Sequence, residues 1–351
     1  MKIEEIDKNF KIESKLELNN PKLYDVKEEP FTLYGVWHDG ECYRRVPKDV
    51  AEATNPGVAV LATCCAGGRI KFRTNSSYIG IKSVSECHHM SHMALIGSSG
   101  YDVYLGTNER FRGTLRPPAS FDTGFESVVK LYDRKMREVT INMPSYSGVK
   151  EAYIVLEADA KVEKTRGYKR EKPIVFYGSS VTQGACSTRP GTAYQCFISR
   201  ALKTNFINLG FSGSAKGEDA IAEYIAGLDM SIFVYDYDYN APSLEHFENT
   251  HERMFNIIRE KNPTLPIVMM SRSRAWLYPF EVDRQKVIAR TYENAIKKGD
   301  KNVYYLTGQE LTKYAGYDAL VDDAHPTDLG FYSMAKVLTP VLRKILAESE
   351  K

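Results

Sequence analysis

Apolar residues fall along this chain with two different periods. From about residue 30 to 160 they come in short runs rich in Val, Ile, Tyr, Phe and Thr, broken by turn residues: RIKFRTNS, YIGIKSVSE, GYDVYLGTN, RFRGTLR, SVVKLYDR, REVTINMP and EAYIVLEA. Strand side chains alternate between faces, so strand-length segments of this kind with almost no helical period predict an antiparallel β-sandwich. This half reads as all-β.

After a basic stretch, KVEKTRGYKREKP, the texture changes. Near-continuous apolar runs, IVFYG (174–178), FINLG (206–210), SIFVYD (231–236), PIVMM (266–270) and NVYYL (302–306), alternate with amphipathic segments. Tyr194, Phe197, Ile198, Ala201 and Leu202 recur at helical spacing, as do Phe247, Met254, Phe255 and Ile258, and then Ile288, Tyr292 and Ala295. Apolar strands alternating with helices predict a parallel sheet covered on both faces. The expected organisation is a β-sandwich over residues 1–165 and an α/β domain over residues 166–351.

Composition mainly excludes. The 351 residues exceed what one core usually supports, and 43% apolar with 26% charged residues is ordinary for a globular protein. A formal charge of +2 offers no concentrated basic face, so no nucleic-acid partner is expected. The first twenty residues, MKIEEIDKNFKIESKLELNN, are charged throughout and lack the apolar centre of a secretory signal. No run approaches the roughly 18 apolar residues of a membrane helix, so the expectation is a cytoplasmic protein without membrane attachment. Free thiols are then expected for Cys42, Cys64, Cys65, Cys87, Cys186 and Cys196, whose spacings match no zinc template.

In doubly wound sheets ligands bind beyond the carboxyl ends of the strands. After the first such strand come Ser179 and Ser180; after the second, NLGFSGSAKGE carries Gly213. The third ends in YDYDYNAP with Asp236, Asp238 and Asn240, and beyond the fifth DDAHPTDLGF carries Asp322, Asp323 and His325. One rim thus collects what acyl transfer needs. A serine hydroxyl is a weak nucleophile until an imidazole accepts its proton, and a carboxylate fixes that imidazole's tautomer. The N–H groups of Ser180 and Gly213 and the amide of Asn240 would meet an oxyanion.

Those blocks, in that order, resemble the SGNH or GDSL-type hydrolase family. Aligning GSSVTQG to the family's Gly-Asp-Ser-x-Thr-x-Gly pattern makes Ser180 the nucleophile, with Ser179 where aspartate is usual. Gly213 and Asn240 fall on the oxyanion positions, Tyr239 standing where a glycine commonly precedes the Asn, and Asp322 and His325 on the Asp-x-x-His pair. The resemblance implies a flavodoxin-like three-layer sheet, catalytic Ser180, His325 and Asp322, and neither cofactor nor metal. The first half, with MALIGSSGYDVYLGTNERFRGTLRP, resembles the jelly-roll-like sandwich that precedes some SGNH esterases, including carbohydrate acetylesterases. That implies a serine esterase removing acetyl groups from plant-derived manno- or xylo-oligosaccharides, as a homodimer. The same residues also admit a lipid or thioester acyl hydrolase, or a carbohydrate-binding protein with a degenerate esterase domain.

Further candidates lie nearby. SRSRAWLYP, after the fourth strand, puts Arg272, Arg274 and Trp276 on the same rim. Trp276 suits either stacking on a sugar ring or burial against the sandwich. Trp276, Arg272 and Asp238 are the candidate substrate contacts. ECHHMSH brings Cys87, His88, His89 and His92 together at a spacing that fits no zinc template, so a hydrated β-loop is expected there.

Overall fold

The computed structural model describes residues 18–349. The chain first forms β1 (Pro21–Asp25), β2 (Thr32–Tyr34), β3 (Trp37–His38), β4 (Tyr43–Arg44), β5 (Arg69–Thr74) and β6 (Tyr78–Ser85). It continues through β7 (Tyr101–Leu105), β8 (Arg110–Leu115), β9 (Phe125–Lys130), β10 (Arg137–Asn142), β11 (Val149–Glu157) and β12 (Val162–Glu163). One antiparallel sheet has the order β1-β11-β6-β9, and the other runs β12-β5-β10-β7-β8 with β2 also beside β5. Alternate side chains of both sheets, such as Ile70 and Phe72, Ile79 and Ile81, Val139 and Ile141, meet in one fully buried core. The period-two runs have become a sandwich.

The first half is not all-β. Lys48–Thr54 and Pro56–Leu61 are helices, and Val46, Ala51, Val58 and Ala62 belong to the core of the other half. The local chemistry explains the second of them. The Asn55 side chain accepts from the Val58 N–H at 2.9 Å, with Pro56 at the first helical position, where its missing donor costs nothing.

The second half contributes β13 (Arg170–Gly178), β14 (Thr204–Gly210), β15 (Ile232–Asp236), β16 (Ile267–Met270) and β17 (Val303–Leu306), all parallel. Their order is β14-β13-β15-β16-β17, the flavodoxin-like 2-1-3-4-5 arrangement. Along β13, Val175 and Tyr177 face the helices Asp219–Ala226, Leu244–Lys261 and Pro279–Lys297. Ile174 and Phe176 face the helices Tyr194–Leu202 and Asp328–Ser349. Both faces are covered, which is why these strands read as continuous apolar runs.

Two arginines fasten the halves together. Buried Arg45 donates to the carbonyl oxygens of Asn208 (3.0 Å) and Gly210 (2.8 Å), as well as those of Leu61 and Cys64. Arg69 donates to Phe206 O at 2.9 Å and stacks on the Phe206 ring, 3.8 Å from its centroid. Residues 206, 208 and 210 alternate along β14, the edge strand. The stretch 161–173 is woven into both halves: β12 pairs with β5, Tyr168 is buried beneath the Lys71 ammonium, and β13 starts at Arg170. Among the described residues no helix is long and apolar enough to cross a membrane.

Candidate active site

Ser180 opens the one-turn helix Ser180–Gln183 directly after β13, beside the point where strand order reverses between β13 and β15. The turn is sharp: Ser179 caps it by accepting from the Val181 N–H at 3.2 Å, and Gly184 ends it in the left-handed region. Ser180 is 7% exposed, so its hydroxyl is reachable but largely dry. Its Oγ lies 2.9 Å from His325 Nε2, and His325 Nδ1 lies 2.9 Å from Asp322 Oδ2.

The loop that carries these last two residues is pinned at several points. Val321 N–H donates to His325 O, Thr327 N–H donates to Ala319 O, and Leu320 bridges to Pro326. Asp322 Oδ1 accepts from the N–H groups of Ala324 (2.8 Å) and His325 (2.7 Å). Burial pushes the Asp322 carboxyl up, but the His325 ring and these two backbone donors outweigh it and hold the group below the usual carboxylate range. Asp328, at the head of the last helix, accepts from Thr188 N–H and Thr192 Oγ1, joining this loop to the segment after Ser180.

Gln183 connects the Ser180 turn to its neighbours. Its Oε1 accepts from the Ser212 N–H at 2.8 Å, and its Nε2 donates to Ser145 O of the sandwich at 3.1 Å. Ser212 precedes Gly213, whose φ of +66° suits glycine and whose N–H has no partner among the described residues. Asn240 joins the same loop by donating one amide hydrogen to Phe211 O at 2.9 Å. An amide nitrogen carries two hydrogens, so one remains for a ligand. The Ser180 N–H, first in its helix, also lacks an intrahelical acceptor. These donors belong to three strand-end loops tied to one another around Ser180.

The departures at Ser179 and Tyr239 have structural answers. Ser179 N–H donates to Asp236 O, while buried Asp236 accepts from Thr182 Oγ1 at 2.5 Å, bracing the turn from below. Tyr239 lies under the Arg272 guanidinium, 3.7 Å from its ring centroid. Arg272 also pairs with Glu281, and its N–H donates to buried Asp238 Oδ2 at 2.9 Å. Arg272 and Asp238 therefore engage each other's loops. Trp276 stacks on exposed Tyr317, with centroids 5.3 Å apart and planes 19° from parallel, rather than on the sandwich. Arg274, beneath both Trp276 and Tyr278, reaches Asp323 at 3.2 Å and so sets this aromatic pair beside the Asp322–His325 loop.

ECHHMSH is not simply a hydrated loop. Ser98 and Ser99 hold His88 through its O and N–H, and the His88 ring stacks on Tyr146. Met90 and Met93 pack on Tyr146, Ala185 and Cys186. The His92 ring then lies 5.3 Å from that of His325, so the sandwich helps form the rim of this site. Spacing offered no sign of it, because the loop's partners are far along the chain. Burial first, then the Asp322 carboxylate, pushes the Cys186 thiol up to about 12.

The chain matches the sequence model of the GDSL-like lipase/acylhydrolase family over residues 171–343. Residues 22–162 match GxDLY, the N-terminus of SGNH-hydrolase-type esterases. Among solved structures it is similar to a Bacteroides ovatus protein assigned provisionally as a GDSL-like lipase: 30% identity and TM-score 0.84 over 93% of this chain and 98% of that one. Salicylyl-acyltransferase SsfX3, from a tetracycline biosynthetic pathway, is 18% identical with TM-score 0.76 over 94% and 98% of the two chains. A family two carbohydrate esterase from Clostridium thermocellum, in complex with cellohexaose, is 15% identical with TM-score 0.58 over 81% and 94%. The likeness to the last two is one of fold. No curated protein matches significantly.

Proposed function

Because the chain belongs to the GDSL-like lipase/acylhydrolase family, we propose that it removes O-acetyl groups from carbohydrate with Ser180 as nucleophile. Ser180 Oγ attacks the acetyl carbonyl as His325 Nε2 takes its proton, while Asp322 keeps the Nδ1–H tautomer and steadies the imidazolium. The oxyanion is met by the N–H groups of Ser180 and Gly213 and the free amide hydrogen of Asn240. Collapse releases the sugar hydroxyl, protonated by His325, and leaves acetyl-Ser180. Water, deprotonated by His325, attacks that ester; collapse frees acetate as His325 returns the proton to Ser180 Oγ.

The observation that carries this reading is the unbroken chain from Ser180 Oγ through His325 to Asp322, each link 2.9 Å. The sugar is supported by the pair of half-buried Trp276 and exposed Tyr317 beside the His325 loop, an apolar face suited to a pyranose ring, and by the fold shared with the Clostridium thermocellum carbohydrate esterase. The test incubates the protein with acetylated manno- and xylo-oligosaccharides, 4-nitrophenyl acetate and a long-chain ester. Acetate release from the oligosaccharides is expected, with loss of about 10³-fold or more in Ser180→Ala. Turnover of the long-chain ester without acetate release would move the substrate to lipid. An unimpaired Ser180→Ala protein would remove the mechanism.

A further inference from the structure

We propose that the rim where the sandwich loop meets His325 binds a thiophilic divalent cation, Zn²⁺ or one like it, and that occupancy switches the esterase off. His92, Cys186, Asp322 and His325 each offer one donor atom, and these four atoms lie within 4.8 Å of one another. They arrive from three separate segments: the loop after β6, the turn after the Ser180 helix, and the loop before the last helix. Zn–S and Zn–N bonds near 2.3 and 2.1 Å put the ligands of a tetrahedral ion roughly 3.5 Å apart, so modest side-chain rotations close this set on a metal. Two imidazoles, a thiol and a carboxylate select zinc over Mg²⁺ or Ca²⁺, which take oxygen.

Cys186 supplies an independent sign. Its φ of +67° lies in the left-handed region, unfavourable for a residue with a side chain, and its thiol is nevertheless held 8% exposed beside Asp322 and His325. Acyl transfer uses neither Cys186 nor His92. Ligation gives both a purpose. As the Cys186 Sγ–metal bond forms the thiol proton passes to solvent, and no electrons change hands. Ligation through either ring nitrogen of His325 removes the base: at Nε2 the metal takes the lone pair that would receive the Ser180 proton, and at Nδ1 it leaves the ring hydrogen on Nε2, so the hydrolytic cycle stops until the ion leaves.

The inhibition half rests on the triad reading, whereas binding does not, so the experiment reads them separately. Metal-free full-length protein is titrated with Co²⁺, then Zn²⁺, by absorption and calorimetry, and its rate on 4-nitrophenyl acetate is followed in parallel. Expected are one ion per chain, a thiolate-to-cobalt charge-transfer band displaced by Zn²⁺, and a rate that falls with Zn²⁺ and returns with chelator. Cys186→Ser and His92→Gln should keep the metal-free rate, lose the band or the affinity, and need roughly tenfold more Zn²⁺ or beyond for inhibition. His92 is half-exposed on a loop, so its variant keeps the fold even if Cys186→Ser does not. No stoichiometric binding, or inhibition unchanged in His92→Gln, would overturn the site; a bound ion with full activity would overturn the switch. A protein that binds the ion yet hydrolyses no ester would instead count against the esterase reading.

Discussion

Asp102 Oδ2 accepts a 2.9 Å hydrogen bond from the Gly191 N–H, while Tyr104 OH donates to Gly191 O at 3.2 Å. One strand of the sandwich thus grips both polar groups of a residue in the segment that follows the Ser180 turn. A Cβ at Gly191 would come within 2.6 Å of Asp102 Oδ2 and Tyr104 OH, so the grip needs glycine. Burial raises the Asp102 carboxyl from the ordinary 3.8 to about 6, against the opposing pull of Asn142, Gly191 and Arg189. A value raised in the fold means that the contribution is full below the unfolded value and is lost as pH rises through about 6. The stability of the native protein relative to Asp102→Asn should therefore fall by on the order of 3 kcal/mol between pH 4 and pH 7. Urea unfolding of both proteins across that range checks this; a constant difference would refute it.

Asp322 has the opposite sign. Its carboxyl is held below the ordinary range by donors from His325 and Ala324, so it stays ionised at neutral pH and loses its contribution only as pH falls through the depressed value. Asp322→Asn keeps the shape but presents a donor to His325 Nδ1 and favours the wrong tautomer. The expected fall in kcat is about 10³- to 10⁴-fold with KM little changed. Steady-state kinetics on 4-nitrophenyl acetate reads it, and a loss below tenfold would mean that something else orients His325.

Asn240→Ala removes one of the proposed oxyanion donors and the bond to Phe211 O. Losing such a donor costs about 10²- to 10³-fold in kcat, whereas the lost bond to Phe211 costs only about 1 kcal/mol of stability. Kinetics and melting measured on the same preparation separate the two effects. A stability loss without a kcat loss would make Asn240 a loop fastener alone.

Arg45 serves four backbone carbonyls from inside the protein, and burial brings its guanidinium down to about 10, still protonated at neutral pH. Arg45→Met leaves those acceptors dry and unpaired, each worth about 1–3 kcal/mol, so a stability loss of at least about 3 kcal/mol is expected. Arg45→Lys, with three donors, should recover part of it. Equilibrium unfolding in urea is the measurement, and a loss under about 1 kcal/mol would show that other donors replace it.

The sequence disclosed most where burial is symmetrical. Ile267–Met270 is buried throughout and reads as a strand of a covered sheet, and a parallel sheet then brings Ser180, Gly213, Asn240 and His325 to one edge. It disclosed least where a single polar group finds a distant partner. Arg45 and Asn208 are 163 positions apart and Asp102 and Gly191 are 89, and neither side chain belongs to a periodic pattern. His92 and the helices at 48–61 failed for a related reason: periodicity says which face is covered, not whose core covers it.

At the far margin of the parallel sheet, β14 would ordinarily present a row of hungry carbonyls to any passing chain. Guanidinium groups of Arg45 and Arg69 already occupy those of Phe206, Asn208 and Gly210. Such a margin cannot recruit another strand, and fibre growth by edge-to-edge stacking is blocked there. Cut away from its sandwich, the remaining half would regain that adhesive border and tend to polymerise rather than stay dispersed.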